Sequence, residues 1–148
     1  MKRFLIAYFS RTGRTQKMAA YIAEGIRSTE NSADLRPIAD IPDERALEGY
    51  DGYLFGCPTY FRDMTDGMKA FLFLVQQAHL EGKIGGAFGS YTHIGDAPQR
   101  IHDTMAYAFK MNMAGLGSLL VKEQILDSGK GAQPCMAYGQ AVARTAPG

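Results

Sequence analysis

Cysteine is scarce in this chain: Cys57 and Cys135 are the two among 148 residues, far apart and without paired spacing. That pattern suggests neither a disulfide framework nor a zinc site. The three histidines, His79, His93 and His102, stand at no ligand spacing with Cys, Asp or Glu, so no metal site is expected. Neither sign of charge dominates. A formal net charge of +1 implies no nucleic acid or membrane partner. Long apolar runs are also missing, none approaching the roughly 20 residues that span a bilayer. The start, Met1-Lys2-Arg3-Phe4, imitates a signal peptide only briefly, since its apolar run ends by Phe9 and Arg11, Arg14 and Lys17 follow. A cytoplasmic location is expected. No internal repeat, linker or low-complexity segment occurs, and the composition fits one globular domain over residues 1–148.

What is present alternates. Apolar runs give way to helical patterns along the chain, which is how βαβ units on a parallel sheet read. Strands are expected over residues 3–9, 34–38, 53–57, 84–89 and 119–121. A first helix is expected from about Gly13 to Ser28, with Met18, Ala19, Ile22, Ala23 and Ile26 on one face. Residues 40–51 are acidic and hold a short helix. Met68, Phe71, Leu72 and Val75 fall at i, i+3, i+4, i+7 and mark another helix. A further helix carries Ile101, Met105, Ala108 and Phe109 on one face, and a last one spans Pro134 to Ala143. The expected fold is α/β, a doubly wound five-stranded parallel sheet with helices on both faces.

In such sheets a ligand lies outside the carboxyl ends of the strands. The first of these ends is the most informative stretch: Phe4 to Phe9 reads as a buried strand and runs into Ser10-Arg11-Thr12-Gly13-Arg14-Thr15, which opens a helix. The first amides of a helix lack intrahelical partners and carry the positive end of its dipole, so they suit a phosphate. Ser10, Thr12 and Thr15 add hydroxyls, and Gly13 lets the backbone approach closely. A plain strand-to-helix turn capped by Ser and Thr would read the same way. Walker and Gly-x-Gly-x-x-Gly strings are absent.

Ser10-x-Thr12-Gly13-x-Thr15 resembles the FMN phosphate loop of the flavodoxin family, with Arg14 where Asn is commonest. Gly56-x-Pro58-Thr59-Tyr60-Phe61, with Met64 and Met68-Lys69-Ala70-Phe71-Leu72, is similar to the second flavin loop, especially in the branch of flavodoxin-like NAD(P)H:quinone oxidoreductases. Gly89-Ser90 with Gly95 matches the more variable third loop. The resemblance implies strand order 2-1-3-4-5 and FMN as cofactor. It implies that Ser10, Arg11, Thr12, Gly13, Arg14 and Thr15 bind the phosphate. Pro58, Thr59, Tyr60, Phe61 and Arg62 would line one side of the isoalloxazine. Ser90, Tyr91, Thr92 and Gly95 would line the other, with Asp96 near its polar edge. No catalytic residue is assigned.

Other chemistries fit less well. Cys57 to Arg62 is similar to the Cys-x5-Arg loop of small tyrosine phosphatases, but four residues intervene and the motif follows the third strand. A buried core thiol is the better assignment. A receiver domain needs an acidic residue where Cys57 and Pro58 stand. A Ser10, His93, Asp96 hydrolase lacks the Gly-x-Ser-x-Gly elbow.

Two functions remain open. An electron carrier would pass electrons between a reductase and an acceptor protein. A small flavoenzyme would take hydride from NAD(P)H and reduce a quinone, and an oligomer is plausible in that branch. Carriers are usually strongly acidic and commonly keep Gly in the loop after the third strand, where a peptide flips toward flavin N5. Here the charge is near neutral and Phe61-Arg62-Asp63 has no Gly, which suits two-electron work. Alternatively Arg62 pairs with Asp63 or Asp66 in solvent and contributes little. The short chain, with no added substrate elements, favours the carrier.

Overall fold

The computed structural model describes residues 1–60 and 62–146. Its sheet is built on β1 (Arg3–Tyr8), whose residues from Phe4 onward are all buried. A strand with no charge inside it and both faces covered sits at the centre of a parallel sheet. Period-two alternation divides it. Phe4, Ile6 and Tyr8 join one core cluster, while Leu5 and Ala7 join the other. The first cluster is closed by α1 (Arg14–Arg27) and α5 (Ala132–Ala143), the second by α2 (Asp66–Gln76) and α3 (Ala97–Asp103). Helices therefore cover both faces.

β1 pairs in parallel with β2 (Ser32–Pro37) on one side and β3 (Gly52–Gly56) on the other, and β3 pairs with β4 (Ile84–Tyr91). The order 2-1-3-4 thus agrees with expectation, as does a fifth position beside β4. That fifth position is not one strand. It holds β5 (Asn112–Met113), paired to Ile84 and Gly85, and β6 (Leu119–Lys122), paired to Phe88 through Tyr91. Between them, Gly86 and Ala87 have no strand neighbour on that side among the described residues. The gap is closed by Tyr138 of α5: its hydroxyl accepts from the Ala87 amide at 3.1 Å and donates to the Gly117 carbonyl at 2.7 Å. Burial pushes this phenol up to about 12, so it keeps the proton it donates.

α1 and α5 approach to backbone contact. A Cβ on Gly139 would lie 2.2 Å from the Ile22 carbonyl oxygen, and one on Gly25 would lie 2.1 Å from that of Met136. α2 starts where the Thr65 hydroxyl accepts the Met68 amide at 3.2 Å. Its expected face, Met68, Phe71, Leu72 and Val75, is buried, and Phe71 meets Phe55 edge-to-face at 5.1 Å.

One expectation is refined, one corrected, and one element is new. The short helix of the acidic 40–51 stretch is a 3-10 turn, Glu44–Leu47, preceded by another at Ile38–Asp40. After α3 the chain widens into a π turn over Thr104–Ala108, with the Phe109 amide bonded to the Thr104 carbonyl. The wider turn keeps Ile101, Met105 and Phe109 buried but carries Ala108 out to solvent. A helix not expected from sequence, α4 (Glu123–Asp127), follows β6 directly. Among the described residues no helix is long and apolar enough to cross a membrane.

Candidate functional site

The carboxyl ends of β1, β3 and β4 bring three loops to one rim of the sheet, as parallel pairing requires. The first loop leaves β1 at Phe9, whose amide still bonds Gly56, and turns into α1 at Gly13. Gly13 has φ +90°, a left-handed conformation that a side chain would strain. Ser10 holds the turn from inside, its hydroxyl accepting the amides of Gly13 at 3.1 Å and Gln16 at 3.3 Å. No hydrogen bond from the amides of Arg11, Thr12, Arg14 or Thr15 occurs among the described residues. These donors surround the positive end of α1, and nothing lies within 4 Å of where a Gly13 Cβ would be. The arrangement can receive an anion with several acceptor oxygens.

The side chains of this loop are disposed differently from its amides. Thr15 is buried, and its hydroxyl lies 3.3 Å from that of Ser90, which is buried as well. Thr12 and Arg11 are exposed. Arg14 turns toward α4. It grips Asp127 with Nε to Oδ1 and Nη2 to Oδ2, both at 3.0 Å, and Nη1 stands 3.5 Å from Glu123. Arg14 thus offers the loop an open amide while its charge is spent on two carboxylates. The pairing holds the Asp127 carboxyl below the usual range.

The second and third loops are stapled together. The Thr59 amide donates to the Ser90 carbonyl at 3.3 Å, and the Ala97 amide to the Thr59 hydroxyl at 3.1 Å. Arg62 Nε donates to Asp96 Oδ2 at 3.0 Å, and Arg100 Nε to the Arg62 carbonyl at 3.2 Å. The alternative pairing of Arg62 with Asp63 or Asp66 is therefore not the one found, and the reason is reach across the rim. Tyr60 and Asp63 exchange both backbone bonds, at 2.9 and 3.0 Å, so the turn points Arg62 away from its neighbours and toward α3. Arg62 has φ +65°, a position that glycine fills most easily. Asp63 instead takes Lys69 at 2.7 Å, which lowers its carboxyl's pKa.

Of the remaining expected residues, Pro58 is buried, while Tyr60, Tyr91, Gly95 and Asp96 are half-buried along the same rim. Thr92 is exposed, and Phe61 lies outside the described residues. A Cβ at Gly89 would strike the Cys57 carbonyl oxygen at 2.1 Å, so the two loops leave the sheet in close contact. Cys57 itself is fully buried and its thiol is pushed up to about 12, which suits core packing and not nucleophilic attack. A cleft of about 770 Å3 opens beside the first two loops, between Phe9, Arg11, Tyr60, Met64 and Lys69. Sequence reasoning missed Arg100, Glu123 and Asp127. Their partners, Arg62 and Arg14, lie far along the chain, so no local spacing signals them.

The flavodoxin family model matches residues 6–125, which include all three loops. The chain belongs to the flavodoxin family. A flavodoxin of Maridesulfovibrio salexigens is 31% identical over 127 residues, covering 81% of this chain and 85% of that one. An NAD(P)H dehydrogenase (quinone) of Acidithiobacillus ferrooxidans is 34% identical over 116 residues, covering 61% of this chain and 57% of that one. The chain spans little more than half the length of several curated relatives that it matches. Among solved structures, an archaeal flavodoxin superposes with a TM-score of 0.85 at 27% identity, over 95% of this chain and 96% of that one.

Flavodoxins bind FMN, and the residues present fit that group. The fit rests on the four open amides at the start of α1, set among hydroxyls around Gly13. A dianionic monoester needs that donor set and no metal.

Proposed function

We propose that this chain is an FMN-dependent electron carrier, a single flavodoxin-like domain over residues 1–148 working between a reductase and an acceptor protein. The observation that carries the reading is the loop 10–15, with its unpartnered amides at a helix start on the same rim as two stapled loops. Ser10, Arg11, Thr12, Gly13, Arg14 and Thr15 hold the phosphate in this reading. Pro58, Thr59, Tyr60, Phe61 and Arg62 form one wall for the ring, and Ser90, Tyr91, Thr92, Gly95 and Asp96 the other. FMN supplies the redox chemistry when bound; the chain binds it, fixes its walls and limits access to it.

Each hydrogen bond to a charged phosphate contributes about 1.5–3 kcal/mol. Thr12→Val with Thr15→Val therefore weakens FMN by at least about a hundredfold and riboflavin far less. Equal losses for both ligands, measured by flavin fluorescence quenching, sink the phosphate assignment. For the carrier role, photoreduction of the FMN-loaded protein halts at the one-electron stage, read as a radical signal by electron paramagnetic resonance. Direct passage to the two-electron form, with NAD(P)H oxidation in the presence of benzoquinone, points to the second reading. That reading, a small NAD(P)H:quinone oxidoreductase, is supported by Arg62, a cation standing where carriers keep Gly.

A further inference from the structure

We propose that Arg14 and Asp127 form a positioning pair that aims the Thr12 hydroxyl at the bound phosphate, so that cofactor affinity is set partly from α4. The proposal rests on the reading that loop 10–15 holds that phosphate. Arg14 is the first residue of α1, directly after the left-handed Gly13, and all three of its guanidinium nitrogens are in use. Nε and Nη2 make a two-bond fork on Asp127, both at 3.0 Å. Nη1 faces Thr12 Oγ1 at 3.4 Å, with Glu123 at 3.5 Å. A fork fixes the guanidinium plane as a single bond would not, and the plane fixes where Nη1 lies.

The consequence for Thr12 follows from its donor inventory. A hydroxyl has one hydrogen and two lone pairs. When a lone pair accepts from Arg14, the hydrogen is left free to be donated to an oxygen of a phosphate held by the loop's open amides. The Arg14 side chain thus acts on the phosphate through Thr12, while its amide stays free for direct contact. α4 can serve as the fixed end because Leu126 is only 1% exposed and belongs to the core cluster that packs on α1. Asp127, the next residue, is held at the surface by that anchor. The carboxylate that orients the loop lies 113 residues along the chain from Arg14.

Charge alone gives a different expectation. Arg14 with Glu123 and Asp127 sums to one net negative charge, which repels a phosphate. If electrostatics ruled, neutralising Asp127 would tighten FMN. Positioning predicts the opposite sign.

The experiment measures dissociation constants for FMN and riboflavin in the wild-type chain, Asp127→Asn, Arg14→Gln, Arg14→Lys and the double variant Arg14→Gln/Asp127→Asn. Thermal melts of the apoproteins confirm that each is folded. The wild type prefers FMN. Asp127→Asn and Arg14→Gln each cut that preference by roughly fivefold, and the double variant is no worse than either. Arg14→Lys falls as far as Arg14→Gln, since an ammonium cannot fork. Any of three results overturns the pair: an unchanged preference in Asp127→Asn, a tighter FMN complex in it, or full rescue by Arg14→Lys. A wild type with no preference for FMN over riboflavin overturns the reading of the loop itself, and the pair falls with it.

Discussion

Replacing Tyr138 by Phe removes one oxygen atom from the space between β5 and β6. That oxygen serves two backbone groups at once, the Ala87 amide at 3.1 Å and the Gly117 carbonyl at 2.7 Å. Ala87 is fully buried on a central strand, and its strand neighbours on that side end at Gly85 and resume at Phe88. Its amide therefore has no substitute partner, and an unsatisfied buried donor costs about 1–3 kcal/mol. Gly117 is half-buried, so its carbonyl recovers part of its loss from water. Adding a net bond of about 1 kcal/mol for it gives a destabilisation of about 2–4 kcal/mol. With a urea m-value of about 2 kcal/mol/M, the unfolding midpoint falls by about 1–2 M. The phenol lies under the sheet and away from the rim, so FMN affinity stays within about twofold by the same reasoning on separated sites. A midpoint shift below about 0.25 M would refute the account, because it would mean the gap in the ladder is satisfied some other way. Exchange of the Ala87 amide, faster in the variant by more than the global loss allows, locates the effect.

Three further outcomes are expected. Gly139→Ala drives a methyl to 2.2 Å from the Ile22 carbonyl, so α1 and α5 must separate; the cost is about 2 kcal/mol or more by denaturant titration, and a neutral substitution would contradict the packing. Arg62→Gly removes a side chain from φ +65°, which relieves about 1 kcal/mol of backbone strain, and removes the cation from the ring wall. The one-electron radical yield on photoreduction rises, and an unchanged yield takes Arg62 out of redox tuning. The carboxyls of Asp127 and Asp63 are held low by Arg14 and Lys69 respectively. Their folded values lie below the unfolded ones, so their stabilisation is complete above the ordinary value of about 3.9 and is lost as pH falls through the depressed values. Melting temperatures of Asp63→Asn and Asp127→Asn, followed from pH 7 to pH 3, decline less steeply than those of the wild type.

The sequence was most legible where chemistry is local. Ser10 to Thr15 reads as an anion loop because its strand, turn and helix are contiguous, and α2 reads from the spacing of Met68, Phe71, Leu72 and Val75. Legibility ended where partners are distant or elements short. β5 is the two residues Asn112 and Met113, held in place by β4 and invisible to any periodicity. The five residues of α4 are likewise too few for a helical pattern. The assignment of Arg14 to the phosphate by resemblance left out its fork on Asp127, and Arg62 pairs with Asp96 from 34 residues away. Ala108 was placed inside because an α-helical count was carried through a turn that is wider.

The four bonds that join Thr59 and Arg62 to Ser90, Asp96, Ala97 and Arg100 also constrain how this protein is rebuilt. A chimera that borrows one of these segments from a relative can lose the side chain of Thr59, Arg62, Asp96 or Arg100 and leave its partner behind, while the backbone bond from Thr59 to Ser90 survives. Grafts must be made in pairs, with the first turn of α3 travelling alongside the segment after β3. Library design that randomises the two separately samples mostly broken combinations.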